Sequence, residues 1–190
     1  MFSDESRFLT FSHRRRSIRR PLGSNRFDPR FTQKTMKHPA GVMVWGCFSA
    51  KGRGGLHFLE KGKTMNSARY IMTLEEHLLT HMHVLGTSIF MQDNAPCHTS
   101  RKTKKWFVDA ELEVLEWPGN SPDLNPIENL WHQAKMKLQR RNTSSVPKLI
   151  KAIKEMWVKD MDAAYCKSLV HSMPRRLQRV IDAKGEMTKY

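Results

Sequence analysis

Three carboxylates stand where a mixed α/β chain can use them. Asp93 closes the compact apolar run Ser88 to Gln92, and α/β sheets present functional groups at the carboxyl ends of their strands. Asp4 follows the apolar Phe2 in a similar way. Glu128 lies one turn into a helix opened by Asn125 and Pro126, at the edge of its apolar stripe. Brought together, the three would repel one another unless a divalent cation neutralised them. With two Mg²⁺ (or Mn²⁺) ions they would form a phosphoryl-transfer centre, one ion activating a hydroxyl nucleophile and the other stabilising the leaving oxygen. An all-oxygen ligand set suits these ions better than Zn²⁺. Each residue also has a plainer reading. Glu128, three positions past Asn125, fits a capping box; Asp93 fits an Asx turn before Asn94; Asp4 fits a solvated residue near the amino terminus. Residue types alone leave these alternatives open.

The elements that must position these groups read as strands early and helices late. Val42 to Phe48 is a β-branched and aromatic run, and Leu56 to Leu59 a second apolar run beyond the turn-like SAKGRGG, so a hairpin is expected. A single helix is expected from Ser67 to Leu85, capped by Asn66 and stopped by Gly86. The Ser88 strand, a helix over Lys102 to Asp109 and a strand over Val114 to Trp117 form a crossover that makes the two strands parallel neighbours. The helix opened by Asn125 and Pro126 carries the stripe Ile127, Leu130, Trp131, Ala134 and Leu138. Two further helices are expected, lined by Leu149, Ile150, Ile153, Met156 and Trp157, and by Tyr165, Cys166, Leu169 and Val170, with a last turn or short helix around Leu177 to Ile181. Trp106, Trp131 and Trp157 lie on apolar stripes and are expected in the core. The fold class is α/β, in one domain over residues 1–190.

Composition narrows the partner. The 190 residues carry 33 Lys and Arg against 18 Asp and Glu, a formal net charge of +15. That excess favours a polyanion, nucleic acid first and an anionic membrane surface second. No apolar run approaches the ~18 residues of a membrane span. Cys47, Cys97 and Cys166 lack paired spacing and read as buried or free thiols. The candidate phosphate contacts are Arg14, Arg15, Arg16, Arg19 and Arg20, then Lys102, Lys104 and Lys105, then Arg140 and Arg141, with a further basic cluster at Arg175 to Arg179. Such clusters also arise as solvated faces; as phosphate contacts they would bind in a salt-dependent, largely sequence-independent way. The first cluster also fits a nuclear address. His77 and His81 have the i, i+4 spacing of zinc ligands, but no Glu follows His77 and no Cys completes a set.

Four blocks then select among these readings. Ser3-Asp4-Glu5-Ser6-Arg7-Phe8, Val42-Met43-Val44-Trp45-Gly46-Cys47-Phe48, Gln92-Asp93-Asn94-Ala95-Pro96-Cys97-His98 and Ser121-Pro122-Asp123-Leu124-Asn125-Pro126-Ile127-Glu128-Asn129-Leu130-Trp131 resemble the catalytic domain of Tc1/mariner transposases, in the Tc1-like branch. They occur in the family's order, and the 34 residues between Asp93 and Glu128 match that branch. The resemblance implies a ribonuclease-H-like fold, a mixed sheet flanked by helices, with Asp4, Asp93 and Glu128 as the metal-binding Asp-Asp-Glu triad. It implies DNA cleavage at transposon ends, strand transfer into a TA target, double-stranded DNA as partner, a homodimer as an option and a nuclear location. Asn94 and His98 are candidates for positioning DNA or a metal-bound water, or for a structural role in the turn after the strand. Only Met1, Phe2 and Ser3 precede Asp4, so the first strand is expected to be truncated, and the family's amino-terminal helix-turn-helix region is expected to be absent. The alternative expectation is therefore an inactive, truncated DNA-binding remnant.

Overall fold

The computed structural model describes residues 1–10, 19–32 and 39–189. Among these residues the strands are β1 (Phe2–Leu9), β2 (Gly41–Ser49), β3 (Gly52–Phe58), β4 (Ile89–Phe90) and β5 (Glu113–Val114). The helices are α1 (Ser67–His77), α2 (Leu79–Val84), α3 (Pro96–Thr99), α4 (Arg101–Asp109), α5 (Ile127–Leu138), α6 (Val146–Asp160), α7 (Ala163–Val170) and α8 (Met173–Asp182).

β1, β2 and β3 form an antiparallel sheet with β2 in the middle, the hairpin that the two apolar runs predict. β4 and β5 are parallel, as the crossover requires. A parallel bridge between Phe2 and Met91 links the two sheets: the Ser3 amide donates to the Met91 carbonyl at 3.1 Å, and the Met91 amide donates to the Met1 carbonyl at 2.8 Å. β1 is thus flanked by β2 on one side and β4 on the other.

The strand that carries Asp4 is longer than the Met1 to Ser3 lead-in that the sequence shows as apolar. β1 continues through Leu9 and pairs with β2 from Phe2↔Phe48 to Leu9↔Gly41. Asp4 therefore sits inside a strand, not at its end. The helix expected over 67–85 is also revised. Asn66 caps it as predicted, its side chain accepting from the Arg69 amide, but α1 ends at His77 and α2 starts at Leu79. Gly86 takes φ +53° beyond α2, the left-handed conformation expected of a stop glycine.

Two cores hold the layers. One packs Val44, Phe48, Ile127, Leu130, Trp131, Ile153 and Trp157 between the antiparallel sheet and α5–α6; the other packs Trp45, Cys47, Tyr70, Leu74, Phe90 and Phe107 on the opposite face. Trp131 and Trp157 stack with ring centres 5.4 Å apart. Gly46 is required here, because a Cβ at that position would lie 2.7 Å from the Trp131 ring.

Candidate active site

The three carboxylates come from three elements and line one pocket of about 180 Å³ with Trp117, Pro118, Asn120, Ser121, Pro122 and Asn125. Asp4 projects from β1, Asp93 follows β4, and Glu128 is the second residue of α5. Asn125 sets the relation between the first and third. Its amide nitrogen donates to the Ser3 carbonyl at 3.1 Å, while its Oδ1 accepts from the Ile127 amide at 3.3 Å. The start of α5 is thereby pinned to the residue before Asp4. The sequence makes Asn125 the cap and Pro126 the first helical residue; in the structure Pro126 is the cap and α5 starts at Ile127, one residue later, and the exposed Glu128 lines the pocket.

Each aspartate is held separately. Asp4 accepts a hydrogen bond from the Trp131 indole at 3.2 Å. Burial first, then repulsion from Glu128 and Glu5, raises the Asp4 carboxyl to about 8. Asp93 shows the opposite effect: the hydrogen bond from His98 at 2.6 Å holds it below the usual carboxylate range. The three carboxylates are not drawn into one tight knot; among the described residues, they do not form a ligand group within 4.8 Å of one another. Spread around a shared pocket, they leave room for cations between them.

An all-oxygen donor set suits hard divalent cations such as Mg²⁺ and Mn²⁺. The raised Asp4 carboxyl marks the electrostatic gap such a cation would fill, since a nearby positive charge favours the ionised form. The residues present therefore fit the metal that the sequence suggests.

His98 and Asn94 have defined partners. The His98 ring is 2% exposed, bonds Asp93 through Nδ1 and Glu5 through Nε2 at 3.3 Å, and packs 4.1 Å from the Tyr70 ring centre. Burial pulls its pKa down, yet the hydrogen bonds to Asp93 and Glu5 together lift it to about 10. Its burial leaves it positioning Asp93 instead of reaching DNA. Asn94 donates to the Trp117 carbonyl at 2.8 Å, clasping the loops after β4 and β5. Neither Glu5 nor Tyr70 is among the site residues that the sequence singles out. Glu5 is adjacent to Asp4 on the strand, where alternation points it to the opposite face, and that could have marked it.

The basic residues divide. Arg14, Arg15 and Arg16 lie outside the described residues. Arg19, Arg20, Lys102, Lys104 and Arg140 are exposed, while the exposed Lys105 pairs with Asp109 at 3.0 Å. Arg141 is half-buried and bridges Glu155 at 3.3 Å and Asp160 at 3.2 Å, joining the end of α5 to α6. In the last cluster, Arg176 is 2% exposed. Its guanidinium donates to the Asp123 carbonyl at 2.8 Å, to Asn129 Oδ1 and to Ser172 Oγ, so α8 braces the loop and first turn that carry Glu128.

Carboxylates from the central strand, from the end of its parallel neighbour and from a following helix thus line one pocket, an arrangement to set beside the family of DDE superfamily endonucleases. The chain belongs to that family: the DDE superfamily endonuclease model matches residues 1–150. Over its whole length it is 39% identical to the Tcb2 transposase of Caenorhabditis briggsae and 38% identical to the Tc1 transposase of Caenorhabditis elegans, spanning 70% of each. Its fold is that of the Mos1 transposase catalytic domain, ribonuclease-H-like. The Mos1 paired-end complex with left transposon end superposes with a TM-score of 0.84 at 22% identity, over 97% of this chain and 55% of that one. Mos1 paired-end complexes with Mg and with Mn superpose equally well, at 23% identity.

Proposed function

We propose that this chain is the catalytic domain of a Tc1-like DNA transposase, with Asp4, Asp93 and Glu128 holding two Mg²⁺ or Mn²⁺ ions. The observation that carries this reading is the convergence of the three carboxylates on one pocket, with Asp4 raised to about 8 by burial first and then by its acidic neighbours. The solved Mos1 relatives with Mg, with Mn and with a transposon end support the choice of ions and of DNA.

When bound, the ions supply charge neutralisation at the phosphodiester and activation of the attacking hydroxyl. The chain's own residues do the positioning. Trp131 orients Asp4, His98 orients Asp93, and Asn125 fixes the helix that presents Glu128. Asn120, Ser121 and Pro122 form part of the pocket wall. The net charge of +15 steers DNA toward an acidic pocket that would otherwise repel it, with Arg19, Arg20, Lys102, Lys104 and Arg140 on the surface for phosphate contact. Double-stranded transposon ends and a TA target are the proposed substrates, acted on in the nucleus.

The test is strand joining. Purified protein, pre-cleaved transposon-end DNA and Mn²⁺ should give joined products that vanish in Asp93→Asn and Glu128→Gln. Salt-sensitive DNA binding without joining by the unaltered chain would identify a DNA-binding remnant instead.

A further inference from the structure

A second group of ligating side chains lies away from the carboxylate pocket, where β3 meets the end of α1. His57 Nδ1 is 3.1 Å from His77 Nε2, and His77 Nε2 is 3.7 Å from Glu76 Oε2. The three ligand atoms all lie within 4.8 Å of one another. We propose that His57, Glu76 and His77 form a zinc site that ties the β2–β3 hairpin to α1.

Geometry carries the proposal. Tetrahedral zinc with ligands at about 2.0–2.1 Å places neighbouring donor atoms about 3.3 Å apart. The two measured separations straddle that value, so an ion fits with small side-chain movements. Two imidazoles and one carboxylate form a borderline donor set, unlike the all-oxygen set of Asp4, Asp93 and Glu128, and they favour zinc over magnesium. A hollow of about 190 Å³ lies beside the group, lined by His57, Glu60 and Glu76. A direct imidazole–imidazole hydrogen bond explains the 3.1 Å contact by itself but gives Glu76 no role.

The frame is built for close approach. A Cβ on Gly55 would lie 2.4 Å from the His77 carbonyl oxygen and 2.7 Å from the His77 Cβ, so a glycine in β3 lets the helix end press onto the strand two residues before His57. Burial lowers the pKa of both rings, keeping them in the neutral, ligating form. The i, i+4 pair His77 and His81, which the sequence left without further ligands, is not the group. His81 directs Nδ1 to the His77 carbonyl at 2.8 Å, and the partner of His77 comes instead from a strand twenty residues earlier.

Zinc and cobalt titrations of the full chain, with millimolar Mg²⁺ occupying the carboxylate pocket, test this. One equivalent of Zn²⁺ should bind, Co²⁺ should give the visible bands of a tetrahedral site, and Tm should rise with zinc concentration by mass action. Glu76→Gln removes a ligand whose side chain is 69% exposed, so the fold should survive while zinc affinity falls by at least about tenfold, the scale set by outer-shell losses. His57→Gln should abolish binding. Absence of zinc uptake under Mg²⁺, or full affinity in either folded variant, overturns the proposal. If His57→Gln does not fold, Glu76→Gln decides. Strand joining in Mg²⁺ is independent of this site, so failure here leaves the proposed transposase activity standing.

Discussion

The indole of Trp131 donates to Asp4 Oδ2 at 3.2 Å across a sequence separation of 127 residues. One turn of α5 thus presents Glu128 to the pocket and, three residues on, orients the first carboxylate. The same ring packs over Gly46, the β2 partner of Asp4. Trp131→Phe keeps an aromatic ring on the stripe but removes the donor and the ring edge that meets Gly46. Mn²⁺ affinity and joining should fall about tenfold, the loss of a hydrogen bond to a charged group, while thermal stability without metal changes by about 1 kcal/mol. Gly46→Ala should cost about 1–3 kcal/mol through overpacking. Because both changes act through one contact, their double mutant should be less destabilised than the sum. Denaturant melts of the four proteins give the cycle.

Metal binding should release a proton. Asp4 is raised to about 8 from an ordinary value of 3.8, so the folded chain holds a proton that the unfolded chain has lost between those pH values. This group's contribution to stability without metal therefore declines as pH rises through that window. Divalent cations favour the ionised form and oppose the decline. Mg²⁺ affinity should rise with pH up to about 8 and then level off. Calorimetric titrations in buffers of different ionisation enthalpy should show proton release at pH 7 in the unaltered chain and none in Asp4→Asn.

His98 joins Asp93 to Glu5 inside the protein, and its removal strands Glu5. His98→Ala should cost about 3–5 kcal/mol, the range for breaking a buried pair from one side. Glu5→Gln, which keeps an acceptor for the ring, should cost less. Urea unfolding ranks the two. The reverse order would show that the Glu5 carboxylate stabilises the fold through more than its contact with His98.

The hairpin, the parallel β4–β5 pair and the helix bearing Glu128 were legible because each rests on local pattern: alternating or compact apolar runs, a turn, and a Pro-started stripe. β1 was harder. An unbroken polar run from Ser3 to Arg7 separates Phe2 from Phe8, so only Met1 to Ser3 read as strand, although pairing with β2 carries it to Leu9. Val42 to Phe48 supplies the partner ladder, and such long-range pairing leaves no mark within β1 itself. The residues supporting the candidate site were hidden for the same reason. Trp131 reads as core because it is core, at 0% exposure, and nothing in its stripe reveals that its nitrogen meets Asp4.

Arg176 shows how a basic cluster conceals a buried brace. Its guanidinium bonds groups on the loop before α5, on α5 and at the start of α8. Arg176→Met would leave those acceptors unpaired and should cost at least about 3 kcal/mol, with Glu128 less well placed and joining reduced. Arg175→Ala, one residue earlier and exposed, should change stability by less than about 0.5 kcal/mol. Chemical denaturation of the pair measures the contrast.

Phosphate-binding and structural cations should also separate by their salt response. Lys102 and Lys104 are exposed on α4, whereas Arg141 is engaged by Glu155 and Asp160. If the lysines meet DNA phosphates, each Lys→Ala change reduces the slope of log affinity against log salt by about 1 and weakens binding to all sequences alike. Arg141→Ala should instead lower Tm, because it frees the end of α5 from α6, and leave the salt slope unchanged. Fluorescence anisotropy with a short duplex at several salt concentrations measures both slopes. A slope change in Arg141→Ala equal to that of the lysines would mean that its ion pairs open to receive DNA, so that the end of α5 forms part of the binding surface.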